Sequence, residues 1–525
     1  MYKEAMKEII NWIKLYYEDT FFWVLTGIAL IYLFFADKKV RGPIIYPVLF
    51  VFFCILNPIL YHHIFSKIIY WRFFWILPET LIIGYAFVLF LKKIKKDLVK
   101  LFIIIGFVVC ICIGGNNVYD NPEYVKAQNE QKVAAATQEV CDYMLSVDEN
   151  PTCIAPNELV WEMRQYSGEV ELMYGRNVDG YILTPDDVSM RMSEELSSNN
   201  PDYHYIFGMA LNRKYEFVVA DAAKVVDSEI LATYGYKMLA EKSGYGIYYH
   251  ENIQSSNIGG WVITQYGSGT STNSCYTIED EDNNLIIIDG GYGWYEEKLR
   301  AVIRAHDNHV TAWIVTSPRA GCSGAFCSII KNPKDITVDT VYSFEVTQEQ
   351  REQYLNDANE GQDTDASIEM LETVDNLDNV VYVKEDDVFH VLGLEFDVLH
   401  TWDEEVDALN QYQEYNGALC FVVSGKEESM LFLSSLTNPM EQYILDRHSE
   451  EIDTEYVQVN NNGEWYFSGE FYDLVSPNVA FIDWRSVDDN PGETVGNVWD
   501  VYNYMQWRGV FVYTYNTSCN WIILR

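Results

Sequence analysis

Four long runs of apolar side chains, separated by short polar segments, occupy the first 114 residues. The runs are Phe21–Ala36, Ile44–Tyr61, Ile68–Leu91 and Leu101–Gly114. A helix needs about 20 apolar residues to cross the hydrocarbon core of a bilayer, or about 17 at the short end. The second and third runs reach that length, and apolar neighbours extend the other two. The pattern predicts a membrane segment of four transmembrane helices over residues 1–114.

Basic side chains between these runs predict the orientation of the segment. The first loop carries Lys38, Lys39 and Arg41, and the third, Lys92–Lys100, carries five lysines, whereas the loop before Lys67 is much poorer. Lysine-rich and arginine-rich loops stay in the cytoplasm. Loops one and three are then inside, and residues 115–525 are expected on the extracytoplasmic side of the cell membrane.

After the membrane segment, short apolar runs alternate with helical patterns. The predicted strands of the first stretch are Thr152–Ala155, Glu171–Tyr174, Glu216–Ala220 and Gly246–Tyr249. Helical patterns lie between them at 156–166, 187–198 and 203–213. Strands that alternate with helices predict a small α/β domain over residues 115–255, with a parallel sheet.

The same alternation continues over residues 256–525 with more strands. The predicted strands are 261–265, 275–278, 285–289, 311–316, 380–383, 389–392, 395–399, 418–423, 431–434, 456–459, 479–482, 510–513 and 520–524. Helices are predicted at 295–305, from 324 to 331, and at 440–447, 469–475 and 498–507. The acidic stretch 348–378 is expected to be a solvated helical insertion, because it lacks the spaced carboxylates of a calcium loop.

Charge divides the chain at the same place as hydropathy. Residues 1–114 hold 13 Lys and Arg against 7 Asp and Glu, a net charge of +6, and the remaining residues hold 23 against 70, a net charge of −47. Phosphate contacts need basic patches, so no nucleic-acid partner is expected. With 49% hydrophobic and 15% aromatic residues, the chain is expected to fold rather than to be disordered.

Ten cysteines are present, of which seven lie after residue 114. No Cys-x-x-Cys pair or zinc-type spacing occurs among them. Seven is an odd number, so these residues cannot form a complete disulfide framework. Cys141 and Cys153 flank a predicted helix-to-strand turn, and the sequence leaves open whether they form a disulfide in an oxidising compartment.

Six landmarks in the last 270 residues follow one another in a characteristic order. They are LIIIDGG (285–291), WIVTSPRAGCSGAF (313–326), NGALCFVV (416–423), LFLSSL (431–436), YVQVNNNG (456–463) and SPNVAFID (476–483). The order resembles the metallo-β-lactamase fold, in the version attached to competence-type DNA-uptake channel proteins. The resemblance implies an αββα sandwich over residues 256–525, and with it a multi-domain chain of membrane helices, small α/β domain and sandwich.

Members of that family bind one or two zinc-class ions through a His-x-His-x-Asp-His box, further histidines and a bridging aspartate. Here the two spaced histidines of the box fall on Ser317 and Arg319, the aspartate on Gly321 and the last histidine on Cys322. A guanidinium at Arg319 would place one cation where another should bind, and like charges a few ångströms apart repel strongly in a poorly solvated pocket.

The remaining ligand positions also differ from the family pattern. The bridging position falls on Ser435-Leu436 and the late histidine pair on Asn461-Asn462, while Asp289 matches a residue that supports the ligands in the family. Leu436 has no donor atom, so the sequence predicts that the metal centre is lost and that these nine residues line a degenerate pocket. His306, His309, His390, His400 and His448 do not form a His-x-His box that would replace it.

Three functions remain open at this point. The first is a membrane-anchored extracytoplasmic protein with a catalytically degenerate metallo-β-lactamase-like domain that binds a small polar ligand, a glycan or a protein partner. The second is a metal-dependent hydrolase of phosphodiesters or esters with a non-standard zinc site. The third is a transport component of the bacterial cell envelope related to DNA-uptake channels. A hydrolase requires three or more donors that converge in the pocket, and a binding protein requires an open pocket without them.

Overall fold

The computed structural model describes residues 2–17, 20–63, 70–114, 126–127, 129–175, 178, 186–267, 273–357, 364–409, 412–485, 496–515 and 519–525. The chain divides into two compact units, Met1–Ala127 and Gln128–Arg525. The predicted boundary near residue 255 falls inside the second unit, between a five-stranded sheet and two seven-stranded sheets.

The first unit is helical. Its helices are α1 (Tyr2–Tyr17), α2 (Phe22–Ala36), α3 (Tyr46–Ile55), α4 (Pro58–His63), α5 (Glu79–Lys92) and α6 (Asp97–Gly114). Short 3₁₀ turns at Lys38–Val40 and Tyr70–Ile76 and one π-helical turn at Arg41–Ile45 connect them. The buried core of the unit includes Ile9, Leu33, Ile45, Ile55 and Ile82.

The second and third predicted spans are each interrupted. α3 ends at Ile55, and Asn57 accepts a hydrogen bond from the Ile59 amide (2.9 Å) as α4 begins at Pro58. Proline lacks an amide hydrogen and fits the first turn of a helix better than its interior. Likewise, Leu77-Pro78 separates the 3₁₀ turn from α5.

Within the described residues, one stretch, Arg72–Lys92, is long and apolar enough to cross a membrane. A second would be added if the bent pair Ala5–Tyr17 and Phe22–Ala36 formed one broken span. The structure therefore shows a helical, apolar N-terminal segment but does not show the four predicted spans.

The second unit begins with a five-stranded mixed sheet. Its strands are β1 (Thr152–Ile154), β2 (Glu171–Leu172), β3 (Phe217–Asp221), β4 (Lys237–Lys242) and β5 (Tyr245–Tyr249), in the order β2-β1-β3-β5-β4. Its helices are α7 (Ala135–Val147), α8 (Asn157–Tyr166), α9 (Asp187–Ser197), α10 (Tyr203–Asn212) and α11 (Ser228–Thr233). β1 is parallel to β2 and β3, but β5 is antiparallel to both of its neighbours.

The expectation of a fully parallel sheet is therefore wrong, and the turn between β4 and β5 explains why. Ser243 and Gly244 both have positive φ (47° and 85°). Two successive residues of this kind make a tight hairpin, and a hairpin joins antiparallel strands.

Two seven-stranded sheets follow. The first runs in the order β11 (Val380–Tyr382), β10 (Thr337–Ser343), β9 (His309–Ile314), β8 (Leu285–Asp289), β7 (Cys275–Glu279), β6 (Trp261–Tyr266) and β19 (Cys519–Leu524). The second runs in chain order through β12 (Val388–Val391), β13 (Leu394–His400), β14 (Cys420–Ser424), β15 (Ser429–Phe432), β16 (Tyr456–Gln458), β17 (Val479–Arg485) and β18 (Phe511–Tyr515).

Nine helices accompany these sheets in the described residues. They are α12 (Glu296–Ala305), α13 (Ala320–Lys331), α14 (Gln348–Asp357), α15 (Thr364–Asp375), α16 (Glu404–Leu409), α17 (Gln413–Asn416), α18 (Glu441–His448), α19 (Gly469–Val475) and α20 (Gly496–Trp507). α14 and α15 lie in the acidic insertion, and both bury apolar side chains such as Tyr354 and Met370.

The interior between the two sheets is apolar and aromatic. The Tyr276 ring on β7 lies 5.3 Å from Phe432 on β15 and 6.0 Å from Phe481 on β17. β8 is buried at all five positions, as expected for a strand covered on both faces. Two facing mixed sheets with flanking helices are consistent with a metallo-β-lactamase-like fold.

Buried polar contacts join the five-stranded sheet's domain to the sandwich. On α9, Asp187 pairs with Lys298 (2.9 Å), and Arg191 donates to the Cys519 carbonyl (2.9 Å). After α10, Arg213 pairs with Glu279 on β7 (3.1 Å). The two parts therefore share one interior and form a single compact unit.

All ten cysteines are free, so the structure contains no bond between Cys141 and Cys153. Both residues are buried, and burial raises the pKa of the Cys141 thiol to about 12. Burial also raises the pKa of Cys153 well above its ordinary value.

Candidate functional site

Loops that follow four strands bring the predicted pocket residues together. Asp289 ends β8, Ser317 follows β9, Ser435 follows β15 and Asn461 follows β16. β8 is parallel to β9, and β15 is parallel to β16, so the carboxyl ends of each pair lie at the same edge of their sheet. In α/β folds this edge is where ligands bind.

Direct contacts between the sheets close this cluster. The Ser435 hydroxyl donates to the Ser317 hydroxyl (2.9 Å), which donates to the Glu414 carbonyl (3.0 Å). The Asn461 amide donates to the Ser434 carbonyl (2.8 Å). Ser317 and Ser435 are both buried, and each hydroxyl is held by protein groups rather than directed at a metal position.

Asp289 is a buried carboxylate at the end of β8. Its Oδ1 accepts hydrogen bonds from the Thr316 amide (2.8 Å) and hydroxyl (2.9 Å), and its Oδ2 accepts one from the Ser274 hydroxyl (2.8 Å). Burial raises the pKa of Asp289 to about 6, although these hydrogen bonds oppose the increase. With φ at 60°, the residue adopts a left-handed conformation that turns the chain into the glycine pair 290–291.

A polar chain continues from Asp289 into the other sheet. The Thr316 hydroxyl lies 2.5 Å from the Ser434 hydroxyl. The backbone amide of Ser434 donates a hydrogen bond to Gln458 Oε1 (2.7 Å). Gln458 Nε2 in turn donates to Asp483 (2.8 Å). Two buried carboxylates, Asp289 and Asp483, therefore lie at the two ends of one hydrogen-bonded chain.

Asp483 was not singled out by sequence reasoning. Its Oδ1 accepts hydrogen bonds from Gln265 (2.8 Å), Tyr276 (2.6 Å) and Tyr515 (3.2 Å). Burial raises its pKa, and these donors oppose the increase. The aspartate at the end of the SPNVAFID landmark was the available signal, but its partners come from β6, β7 and β18 and could not be read from spacing.

Cys322 and Gly321 lie in the first turn of α13. Cys322 is buried, and burial raises the pKa of its thiol well above the ordinary value. A nucleophilic cysteine needs a lowered pKa and access to solvent, so this residue does not fit that role. A Cβ at Gly321 would lie 3.2 Å from the Tyr292 ring, which covers this turn.

Leu436 and the two asparagines complete the inner part of the cluster. Leu436 is fully buried, and its carbonyl accepts a hydrogen bond from Asn460 Nδ2 (2.7 Å). Asn461 and Asn462 both have positive φ (44° and 56°), a conformation that asparagine tolerates better than most residues. Asn460, which sequence reasoning did not select, also accepts hydrogen bonds from the Phe467 amide (3.0 Å) and the Tyr472 hydroxyl (2.7 Å).

Arg319 is the cation of the site. Its Nη1 donates to Asn461 Oδ1 (3.1 Å), and its guanidinium carbon lies 3.8 Å from the centre of the Tyr415 ring. The side chain is partly exposed, unlike the buried residues beneath it. Burial raises the pKa of Glu464, and the positive charge of nearby Arg319 opposes the increase. Arg319 is therefore held by a hydrogen bond to Asn461 and by the face of the Tyr415 ring.

Five aromatic side chains lie on or beside the Arg319 and Gly321 contacts. Tyr412 and Tyr415 lie 5.0 Å and 5.7 Å from Trp465, whose side chain is 39% exposed. Tyr292, which covers Gly321, stacks on Trp294 with the ring planes 15° apart, and Trp294 is 56% exposed. We call these five rings the aromatic rim; among them, Tyr415 packs directly against the Arg319 guanidinium.

The zinc-class ions of the fold do not fit the residues present here. Arg319 supplies a positive charge, Leu436 and Gly321 supply no side-chain donor, and the oxygens of Asp289 already accept hydrogen bonds from Thr316 and Ser274. Within the described residues, no group of three or more His, Cys, Asp and Glu side chains is placed to hold a metal ion. Zinc prefers thiolate, imidazole and carboxylate ligands, which this cluster does not gather.

The five histidines of the sandwich named above contact protein carboxylates or carbonyls. His309, His390 and His448 lie 3.0–3.1 Å from carboxylates of Asp339, Glu395 and Glu385. The buried His400 ring lies 2.7 Å from the Asn416 carbonyl, and His306 lies 3.0 Å from the Asn283 carbonyl.

No family model and no curated protein matches the sequence. Solved structures of similar fold include the metallo-β-lactamase fold protein YhfI from Bacillus subtilis, at 10% identity over 50% of this chain and 99% of that chain, with a TM-score of 0.32. CmlA, a diiron β-hydroxylase from Streptomyces venezuelae, shares 11% identity over 57% of this chain and 58% of its own, with a TM-score of 0.34.

A possible metal-dependent hydrolase from Veillonella parvula shares 8% identity over 50% of this chain and 99% of its own, with a TM-score of 0.29. All three likenesses are at low identity and low TM-score. The strand order and the loops described above carry the assignment of this chain's fold class.

Proposed function

We propose that this protein is a membrane-anchored, extracytoplasmic binding protein whose sandwich domain is a catalytically degenerate relative of the metallo-hydrolases. Its ligand is a polar molecule of the cell envelope, and a glycan fits the site best. The observation that carries the proposal is the guanidinium of Arg319, which is held by Asn461 and stacked on Tyr415 and which the landmark order aligns with a metal ligand of the family.

The chemistry of the rim favours a carbohydrate over other polar ligands. Tryptophan and tyrosine have an apolar ring face and a polar N–H or O–H group. The ring face can stack on a sugar ring while the polar group remains in contact with water. Arg319 has planar N–H groups that bind hydroxyl, carboxylate or phosphate oxygens. The buried thiol of Cys322 and the carbonyl-bound hydroxyl of Ser317 offer no activated nucleophile.

The exposed apolar surface of the first unit supports the membrane anchor. α6 leaves large apolar side chains exposed around its circumference, including Phe102 at 66% and Ile113 at 80%. A helix that is apolar on all sides belongs either in a protein core or in a bilayer. We also propose that the first unit crosses the membrane four times and that the Lys38–Arg41 and Lys92–Lys100 loops lie in the cytoplasm.

Metal content tests the loss of the catalytic centre. We would purify the protein with zinc and manganese present and quantify bound metal by mass spectrometry, and then assay phosphodiester and ester substrates. We expect less than stoichiometric metal and no hydrolysis. A stoichiometric ion together with hydrolysis would overturn the proposal in favour of an enzyme with a non-standard metal site.

Glycan binding tests the ligand class. The purified protein would be screened on an array of bacterial envelope glycans, and hits would be measured by calorimetry for Arg319→Gln and Trp465→Ala. We expect each change to weaken binding by about fivefold or more, because a charged hydrogen bond or a stacked ring contributes roughly 1–3 kcal/mol. Trp161→Ala is the matched control, since Trp161 is an exposed tryptophan on α8. Binding of proteins but not glycans would contradict the ligand class.

A further inference from the structure

We propose that the first unit binds an anionic phospholipid, with an acyl chain in a groove between α2, α5 and α6 and the phosphate at the lysines after α5. The inference rests on the proposed membrane insertion of this unit. The groove has a volume of about 290 Å³, and its lining side chains are apolar or aromatic.

Small residues form the floor of this groove and aromatic residues form its wall. Ala29 on α2 and Ala86 on α5 are buried where the two helices meet. The Phe87 ring of α5 stacks on Phe107 of α6 with the ring centres 3.9 Å apart. This stack holds α6 beside α5, and an apolar groove lies along the contact of α2 with α5.

Two contacts place the basic loops at the same end of the groove. The Tyr85 hydroxyl on α5 donates to Asp37, which follows α2 (3.1 Å). The Lys93 ammonium lies 4.9 Å from the centre of the Tyr32 ring, and Tyr32 lines the groove. The residue that follows each helix therefore contacts the other helix, so both basic loops begin beside the α2–α5 pair.

The end of the groove at these loops is strongly basic. Exposed lysines there are Lys38, Lys39, Lys92, Lys93, Lys95 and Lys96. The acidic residues of these loops are Asp37, which accepts the Tyr85 hydrogen bond, and Asp97, which pairs with Lys100 (2.9 Å). The excess of positive charge matches a phosphate headgroup.

A lipid with one negative charge satisfies both parts of this site. The apolar groove takes a hydrocarbon chain, and the lysines at its end take the phosphate. A transmembrane helix from a partner is about 10 Å across with its side chains and would not enter a groove of about 290 Å³, and it would leave the lysines without counter-charge.

The test uses the full chain in detergent micelles and native mass spectrometry. Three probes are titrated: palmitoyl-oleoyl phosphatidylglycerol, palmitoyl-oleoyl phosphatidylcholine and soluble glycerol phosphate. We expect phosphatidylglycerol to bind at least tenfold more tightly than phosphatidylcholine and glycerol phosphate not to bind. Equal retention of the two lipids, or binding of glycerol phosphate alone, would overturn the proposal.

Variants locate the site. Lys92→Gln with Lys93→Gln should reduce the preference for phosphatidylglycerol by about tenfold, and Lys14→Gln on α1 should not change it. Ala86→Leu should weaken binding of both lipids by filling the groove, and its thermal unfolding is recorded to show that it is folded. If the double glutamine variant keeps the full preference, the assignment of the headgroup is wrong.

Liposome flotation separates this inference from the proposed membrane anchor. If the protein fails to float with neutral phosphatidylcholine liposomes, the membrane anchor itself is wrong. If it floats but shows no preference among lipids, the anchor stands and the lipid site is rejected.

Discussion

At the scale of single residues, the loops after β8, β9, β15 and β16 form a cluster of hydrogen-bonded polar side chains. Asp289, Ser317 and Ser435 bind protein groups, and Cys322 is shielded from solvent. Arg319 is the residue that keeps both charge and access. Two residue-level properties, the raised pKa of Asp289 and the burial of the cysteines, give measurable consequences.

The raised pKa of Asp289 predicts a specific pH dependence of stability. The folded protein binds a proton at this carboxyl up to about pH 6, whereas the unfolded chain loses it near pH 3.8. Protonation therefore favours folding, and its contribution is lost as pH rises from about 4 to about 6. For a shift of this size the loss is at most about 3 kcal/mol.

Asp289→Asn should reduce the dependence of the free energy of unfolding on pH between about pH 4 and pH 6. The hydroxyls of Thr316 and Ser274 can rotate to accept hydrogen bonds from the new amide, so the variant is expected to fold. The free energy of unfolding would be measured by urea denaturation between pH 4 and pH 7, with Asp282→Asn at an exposed turn as the control. An unchanged slope in Asp289→Asn would contradict the assignment.

Cysteine labelling should distinguish the folded from the unfolded second unit. Its seven cysteines are all buried, and burial raises the pKa of Cys322 well above normal. We expect none of the seven to react with iodoacetamide at pH 8 in the folded protein, and all seven to react in guanidinium. Rapid alkylation of Cys322 in the native state, measured by peptide mass spectrometry, would show that the site is open and reactive.

At the scale of elements, close backbone packing positions α13 against the loop after β8. A Cβ at Gly324 would lie 2.5 Å from the Gly293 backbone nitrogen, a distance that real Cβ atoms do not reach. The Ala325 amide also donates to the Gly291 carbonyl (2.9 Å). The residues that begin α13, including Arg319 at its N-cap, are therefore fixed by this contact.

Gly324→Ala should consequently destabilise the second unit. Backbone atoms cannot move aside cheaply, and overpacking of this kind costs about 1–3 kcal/mol or more. Gly321→Ala is the matched control, because its Cβ would meet the end of the Tyr292 side chain at 3.2 Å, which can adjust. Urea unfolding compares the two, and equal stability would contradict the packing argument.

Much of the element order could be predicted because buried strands have simple patterns. LIIID (285–289) matches β8 at both ends, and the predicted helix 469–475 matches α19. The sequence analysis did not predict β10 (TVDTVYS). Polar and apolar residues alternate along this strand, so it contains no continuous apolar run. β4 was missed for the same reason, since most of its side chains are exposed or half-buried.

The site could be predicted only in part. The convergence of the four loops follows from the strand order that the landmarks indicate. The partners that hold each residue do not, because Thr316 lies 27 residues from Asp289 and Asn461 lies 142 residues from Arg319 in the chain. Hydrogen bonds over such separations depend on the folded geometry and leave no local spacing to recognise.

At the scale of the whole molecule, a buried ion pair joins the two parts of the second unit. Glu279 on β7 contacts Arg213 (3.1 Å), Asn212 (3.2 Å) and His306 (3.5 Å). Burial alone would raise the pKa of Glu279, but Arg213 and His306 outweigh it and hold the pKa at about 2. This carboxylate therefore contributes stability above about pH 4.5 that is lost as pH falls toward 2.

Glu279→Gln should leave Arg213 buried without a counter-charge. Breaking one partner of a buried pair costs about 3–5 kcal/mol, so we expect a lower unfolding midpoint in urea with a single transition still present. The double variant Glu279→Gln with Arg213→Met should recover part of the loss. Two separate transitions in the wild-type second unit would show that its two parts fold independently.

The position of β19 has a consequence for how this chain is made. β19 (Cys519–Leu524) pairs with β6 (Trp261–Tyr266), so the first strand of the sandwich finds its outer neighbour in a segment about 260 residues later. During synthesis, β6 emerges early and its outer edge stays unpaired until the ribosome has passed residue 524. An unpaired edge strand invites aggregation. We therefore expect this chain to depend on a chaperone or on the translocation machinery to shield β6 while the later residues are still being delivered.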